Sequence, residues 1–124
     1  MKMYEILDLQ TLYASIANIK LPLKTTYKFT RLMKRAEEEI SFYHEKFREI
    51  VEEYGVKEAG EYKLTPDGQS IVIIPGKEVE CNNKLAELRN LDVSIDDIKF
   101  SIEELEKIDV SISELSCLMS LIED

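Results

Sequence analysis

Apolar residues recur at helical spacing through the first half of the chain, and the period changes after Gly55. Leu9, Leu12, Ile16 and Ile19 follow Asp8 at intervals of three and four, so Asp8 is expected to cap a short amphipathic helix over 9–19. Leu21-Pro22 interrupts that pattern, and a proline tolerated in a first helical turn makes Pro22 the expected start of the next helix. Phe29, Met33, Ala36, Ile40, Tyr43, Phe47, Ile50 and Tyr54 then alternate at four and three, ending at Gly55. A single helix over 22–54 is expected, roughly 45 Å or more in length. Leu32, Phe42 and Val51 widen its stripe beyond a coiled-coil seam. Two arrangements would cover that stripe: the rest of this chain, or a second copy of it.

Beyond Gly55, Glu61 to Thr65 and Ser70 to Ile74 flank Pro66-Asp67-Gly68, the pattern of a β-hairpin over 61–74. Residues 78–90 return to helical spacing, with Cys81, Leu85 and Leu88 on one face. The stretch VSIDDIKFSIEELEKIDVSISEL, residues 93–115, repeats one motif three times. The first copy alternates and predicts a strand over 93–100, with a bulge near Asp96-Asp97, that could join the hairpin. In the other two, Ser101 with Glu104 and Ser111 with Glu114 have capping-box spacing, and Phe100 with Leu105 and Val110 with Leu115 have that of a hydrophobic staple. Helices over 102–108 and 112–123 are therefore expected. The fold class is α+β and mostly helical, one domain over 1–124, with a long central helix packed by shorter ones and a small antiparallel hairpin, extendable to three strands. Ile112, Leu115, Leu118, Met119, Leu121 and Ile122 leave the last helix little polar surface, so it must be buried here or in a partner, and Leu115, Leu118, Met119, Leu121 and Ile122 are the candidate interface.

Charge divides the chain. Residues 9–36 hold no acid and six cations, whereas residues 37–124 hold 23 acids against 9 bases. The net charge of −9 argues against general nucleic-acid binding, which requires a basic surface. Lys24, Lys28, Arg31 and Arg35 fall on one face of the long helix, with Lys34 beside them; these five are the candidate sites for an anion or an acidic partner. The competing expectation is that Asp96, Asp97, Glu103 and Glu104 lie across the stripe and neutralise it. The sequence opens without a signal-peptide pattern, its apolar runs are too short to span a bilayer, and its two cysteines are far apart, which together predict a cytoplasmic protein with reduced thiols.

Candidate chemistry is sparse. His44-Glu45 is followed by Arg48 where a zinc-protease helix needs a second histidine, and Ser41 stands where a di-iron motif needs glutamate. The four glycines spell neither a P-loop nor a dinucleotide fingerprint. No catalytic, cofactor or metal residues are expected, and an enzyme is disfavoured. The opening Leu-x-x-Leu helix, the passage KLPLKTTYKFTRLMKRAEEEI leading to EEYG, and the close LEKIDVSISELSCLMSLIED resemble a family of small uncharacterised proteins of tailed phages and prophages of low-GC Gram-positive bacteria. The likeness spans most of the chain apart from the hairpin and the helix after it, and carries no active-site residues. It implies a phage protein acting in the host cytoplasm. Three functions follow: inhibition of a host component such as an antiviral defence system, virion or tail assembly through self-association, and capture of a nucleotide signal on the basic stripe.

Overall fold

The computed structural model describes residues 1–95 and 97–123. Its elements in chain order are α1 (Met3–Ile16), α2 (Leu23–Tyr54), β1 (Lys57–Glu58), β2 (Glu61–Tyr62), α3 (Glu78–Arg89), α4 (Ile102–Leu105) and α5 (Ile112–Leu118), followed by a 3₁₀ turn, Met119–Leu121. The fold class is the expected one, mostly helical α+β with a 32-residue helix, shorter helices and a two-stranded antiparallel hairpin. The chain divides into two compact units, Met1–Ser41 with Asp92–Asp124, and Phe42–Leu91.

The first unit is assembled from the two ends of the sequence. α1 begins five residues before the expected cap at Asp8, because Met3 and Ile6 extend the buried stripe of Leu9, Leu12 and Ile16 towards the N-terminus. The Glu5 carboxylate accepts the Lys2 backbone N–H at 2.9 Å and closes the helix start. α1 stops at Ile16, and Ile19 is exposed. The Val93 N–H donates to the Met1 carbonyl at 2.7 Å, and Lys2 Nζ meets Asp92 at 2.8 Å, so the first residues are tied to the start of the last third. Phe29, Leu32, Met33, Ala36 and Ile40 of α2 are buried, as are Val93, Ile95, Ile98, Phe100, Ile108, Cys117, Leu118 and Leu121. The rings of Phe29 and Phe100 pack with centroids 4.5 Å apart.

Among the described residues of 93–100, no strand forms where one was expected. The backbone there is instead engaged within the first unit: Phe100 makes one parallel bridge to Ile122, its N–H donating to the Leu121 carbonyl and its carbonyl accepting from Glu123, each at 2.7 Å. Of the expected bulge, Asp96 lies outside the described residues. Both capping boxes are present. Glu104 N–H donates to Ser101 Oγ at 3.1 Å and Ser101 N–H to the Glu104 carboxylate at 3.0 Å, and Ser111 and Glu114 repeat the same pair of distances. Both helices are shorter than expected. α4 is a single turn that ends so that Ile108 can be buried, and α5 tightens into the 3₁₀ turn that brings Ile122 alongside Phe100.

In the second unit, α2 ends at Tyr54, just before Gly55, which is not in the left-handed region and serves close approach instead. A Cβ there would stand 2.7 Å from the Val51 carbonyl oxygen and 3.0 Å from the Tyr62 ring. The hairpin ladder lies earlier than expected, β1 pairing β2 through Ala59 (φ 52°) and Gly60 (φ 82°), the positive pair of a two-residue turn. The expected turn at 66–68 also exists, with Gly68 at φ 70° donating to the Thr65 carbonyl at 2.8 Å. Its flanks make only single bridges, because the segment around Val72 changes partner. Val72 N–H donates to Lys63, Lys63 N–H to Val56, and Val56 N–H to Val72, at 2.8, 2.8 and 2.9 Å, a closed ring of three backbone bonds. Ile74 then pairs with Tyr54 at 2.8 Å. α3 closes the unit with Cys81 and Leu88 buried.

Candidate functional site

The basic stripe and the candidate interface both belong to the first unit, and the chain treats them differently. Lys28 Nζ lies 2.7 Å from Glu104 Oε1, and less than a quarter of either side chain is exposed (23% and 17%). The same oxygen accepts the Ser101 N–H and, at 3.2 Å, its hydroxyl. Lys28 and then the Ser101 amide hold the Glu104 carboxyl below the ordinary glutamate range, against the opposing effect of burial. Arg35 pairs with Asp97 and also donates to the Ser94 carbonyl at 3.3 Å, while Arg31 reaches Asp97 at 3.9 Å and stacks over Tyr27. Acids from the last third of the chain thus lie across the stripe. Asp97 and Glu104 fill that role, while Asp96 falls outside the described residues. Lys24 and Lys34 form no ion pair among the described residues, and Lys24 lines a hollow of about 450 Å³ that it shares with Thr25, Ser101, Glu103 and Lys107. That hollow carries acids as well as bases and does not present the uncompensated positive charge that a phosphate-rich ligand needs.

The candidate interface divides. Leu118 and Leu121 are 1% and 0% exposed, so they are core residues and cannot meet a partner. The physical reason is spacing: Leu118 and Leu121 are three residues apart on the side that enters the core of the first unit, where the Leu121 carbonyl accepts the Phe100 N–H. Leu115, Met119 and Ile122 line an open groove of about 450 Å³, faced by Ile102 and Leu105 of α4 and by Val110 of the connection. Met119 is 61% and Ile102 50% exposed. Sequence reasoning missed Ile102, Leu105 and Val110 as groove residues. Their signal was present in the capping boxes, since each box places apolar residues beside its cap, but which of them fold inward depends on how the two short helices meet.

His44 is exposed on α2, edge-on to Tyr43 at 5.6 Å. Cys81 and Cys117 are buried and free, and burial pushes the Cys117 thiol up to about 11, with Asp8 adding to the effect, so it is a thiol and not a thiolate at neutral pH. Among the described residues no group of three or more His, Cys, Asp and Glu side chains is placed to hold a metal ion, and no helix is long and apolar enough to cross a membrane. A second hollow, about 330 Å³, lies within the second unit over Phe42, Ile50, Leu88 and Leu91, and Lys46 and Lys84 at its edge are already paired with Glu49 and Glu53. No family model, curated protein or solved structure matches the chain.

Proposed function

We propose that this chain is a non-enzymatic phage or prophage protein that acts in the host cytoplasm by binding and inhibiting a host component, with an antiviral defence system as the first target to test. The observation that carries the reading is the apolar groove between α4 and α5, left open on an acidic molecule. A monomer that exposes a contiguous apolar surface leaves hydrophobic free energy unclaimed, and binding another protein is the ordinary way to claim it. The phage origin rests on the resemblance of the helical segments. Capture of a nucleotide signal draws less support, because Lys28, Arg31 and Arg35 are already engaged by Glu104 and Asp97. Self-association through the last helix also draws less, because Leu118 and Leu121 are buried within the chain. The test is to supply the gene in a defended host and count surviving phage. A gain in survival that follows the protein, together with recovery of one defence component in a stable complex, is the expected result. Unchanged survival across defended hosts would remove the reading.

A further inference from the structure

The groove between α4 and α5 has a chemistry of its own. Its walls are Ile102, Leu105, Val110, Leu115, Met119 and Ile122, and among the described residues Glu106 is the one charged side chain that lines it. Small-molecule sites combine apolar walls with several convergent polar groups that fix a ligand's orientation, and among the described residues this groove has no such set. Leu115 of α5 and Met119 of the turn after it stand at i and i+4, and Ile122 follows in extended backbone, so the three form one apolar wall open to an apolar helix face.

Charge decides what kind of helix fits. Residues 99–123 contain six acids and two bases. Glu104 is engaged by Lys28, and Glu114 by Ser111 and by Ser15 at 3.1 Å. The other four, Glu103, Glu106, Asp109 and Glu123, are exposed, and among the described residues none of them forms an ion pair. Of the two bases, Lys99 donates to the Ser120 carbonyl at 2.8 Å, and Lys107 lines the hollow beside Lys24 and not the groove. A second copy of this chain, docked groove to groove, would set two segments of net negative charge, each with Glu106 in its groove, against each other. A segment with a leucine-type apolar stripe flanked by lysines or arginines would bury its stripe and meet Glu106 within an acidic stretch of chain.

We infer that the groove formed by Ile102, Leu105, Val110, Leu115, Met119 and Ile122 receives a basic amphipathic helix of a partner protein. The inference rests on the reading of the chain as a protein-binding inhibitor and specifies the chemistry of the partner's contact. Met119 and Ile102 are its anchors on this side, and Glu106 sets the preference for positive charge.

The probe is a synthetic helix of about 18 residues, long enough to hold helical structure, with leucines at i, i+3, i+4 and i+7 and lysines between. A matched peptide carries glutamates in place of the lysines. Binding is measured by titration with the full chain. The lysine peptide is expected to bind, more weakly as salt rises, and the glutamate peptide not to bind. Met119→Asp and Ile102→Asp should each weaken binding by about tenfold or more, from the apolar area a buried side chain of that size contributes. Ile112→Asp is the control. Ile112 is 89% exposed, on the same helix, and outside the groove, so it should change binding less than twofold.

Glu106→Lys, a surface change that leaves the apolar walls intact, covers the case in which an Asp variant fails to fold, and should weaken lysine-peptide binding several-fold. Equal binding of the two peptides, or equal effects of the Met119 and Ile112 variants, would overturn the inference. So would a wild-type dimer that Met119→Asp converts to a monomer, since the occupant would then be a second copy. Flotation of the chain with lipid vesicles that Met119→Asp abolishes would overturn it in favour of a membrane. Phage survival separates the two readings. If Met119→Asp protects phage as well as wild type, inhibition stands without the groove. If the peptide binds as expected but wild type protects no phage, the groove stands without inhibition.

Discussion

Glu104 does three jobs with one oxygen. Its Oε1 closes the capping box of α4, neutralises Lys28, and accepts the Ser101 hydroxyl, all within a part-buried pocket in which Lys28 also lies over the Phe100 ring at 5.7 Å. Removing the charge while keeping the shape therefore strands Lys28. Glu104→Gln should lower stability by about 2 kcal/mol, the scale of a hydrogen bond to a charged group in partial burial. The folded carboxyl titrates below its ordinary value of 4.5, so between its folded and unfolded values the unfolded chain binds the extra proton. Its contribution is complete above about pH 4.5 and is lost as the pH falls through the lower, folded value. Denaturant unfolding of wild type and Glu104→Gln at pH 7 and at stepped pH values below 4.5 should show the gap between them closing as acid is added. A gap that stays constant would mean that the loss comes from packing and not from the charge.

α4 and α5 test how far capping alone can define an element. Each starts at a serine whose hydroxyl takes the amide of the third helical residue, yet the first box is part-buried and tied to Lys28 and the second is exposed. Ser101→Ala and Ser111→Ala should each cost about 0.5–2 kcal/mol, the first more than the second because loss of the cap leaves a less hydrated amide. Thermal melts of both variants check this, and an equal or reversed order would separate cap strength from burial.

These starts were legible because a capping box is local: four residues carry both partners. The same is true of α2, whose apolar spacing and flanking Pro22 and Gly55 mark it without reference to the rest of the chain. Pairings between distant segments were not legible. The ring of Val56, Lys63 and Val72 depends on three stretches meeting, so the turn at 66–68 could be read while the ladder at 57–62 could not, alanine being an unusual residue for the positive φ of position 59. Alternation over 93–100 reads as a strand, but alternation records only that one side of an extended segment is buried. It does not say whether another strand lies beside it. The basic stripe shows the same division, since helical spacing put Lys24, Lys28, Arg31 and Arg35 on one face and said nothing of Asp97 and Glu104 reaching back to three of them. Half of the groove was read in Leu115, Met119 and Ile122, and the other half waits on where a one-turn helix ends.

The two units differ in how they are built from sequence. The second, 42–91, is one continuous stretch, and its backbone ring closes within eighteen residues of Gly55. The first joins 1–41 to 92–124, and the two parts carry opposite charge: seven bases against five acids in the first, two bases against ten acids in the second. Their attraction is local at Lys28, Arg31 and Arg35, and their apolar complement is Phe100, Leu118 and Leu121 packed in the same core as Leu9, Leu12, Phe29 and Leu32. A fragment of residues 1–91 keeps every residue of the second unit and loses that complement. Fixing α1 costs backbone entropy of about 1–2 kcal/mol per residue, which only burial of its stripe can offset. Hydrogen exchange on the fragment should therefore show the amides of Val56, Lys63 and Val72 protected together, and those of α1 exchanging at rates of an open chain. Protection of α1 amides in the fragment would show that Met3, Ile6, Leu9 and Leu12 find enough cover on α2 alone. The last third would then be an addition to a folded core and not a part of it, and a groove built from that third could open or close on binding without unfolding what lies beneath.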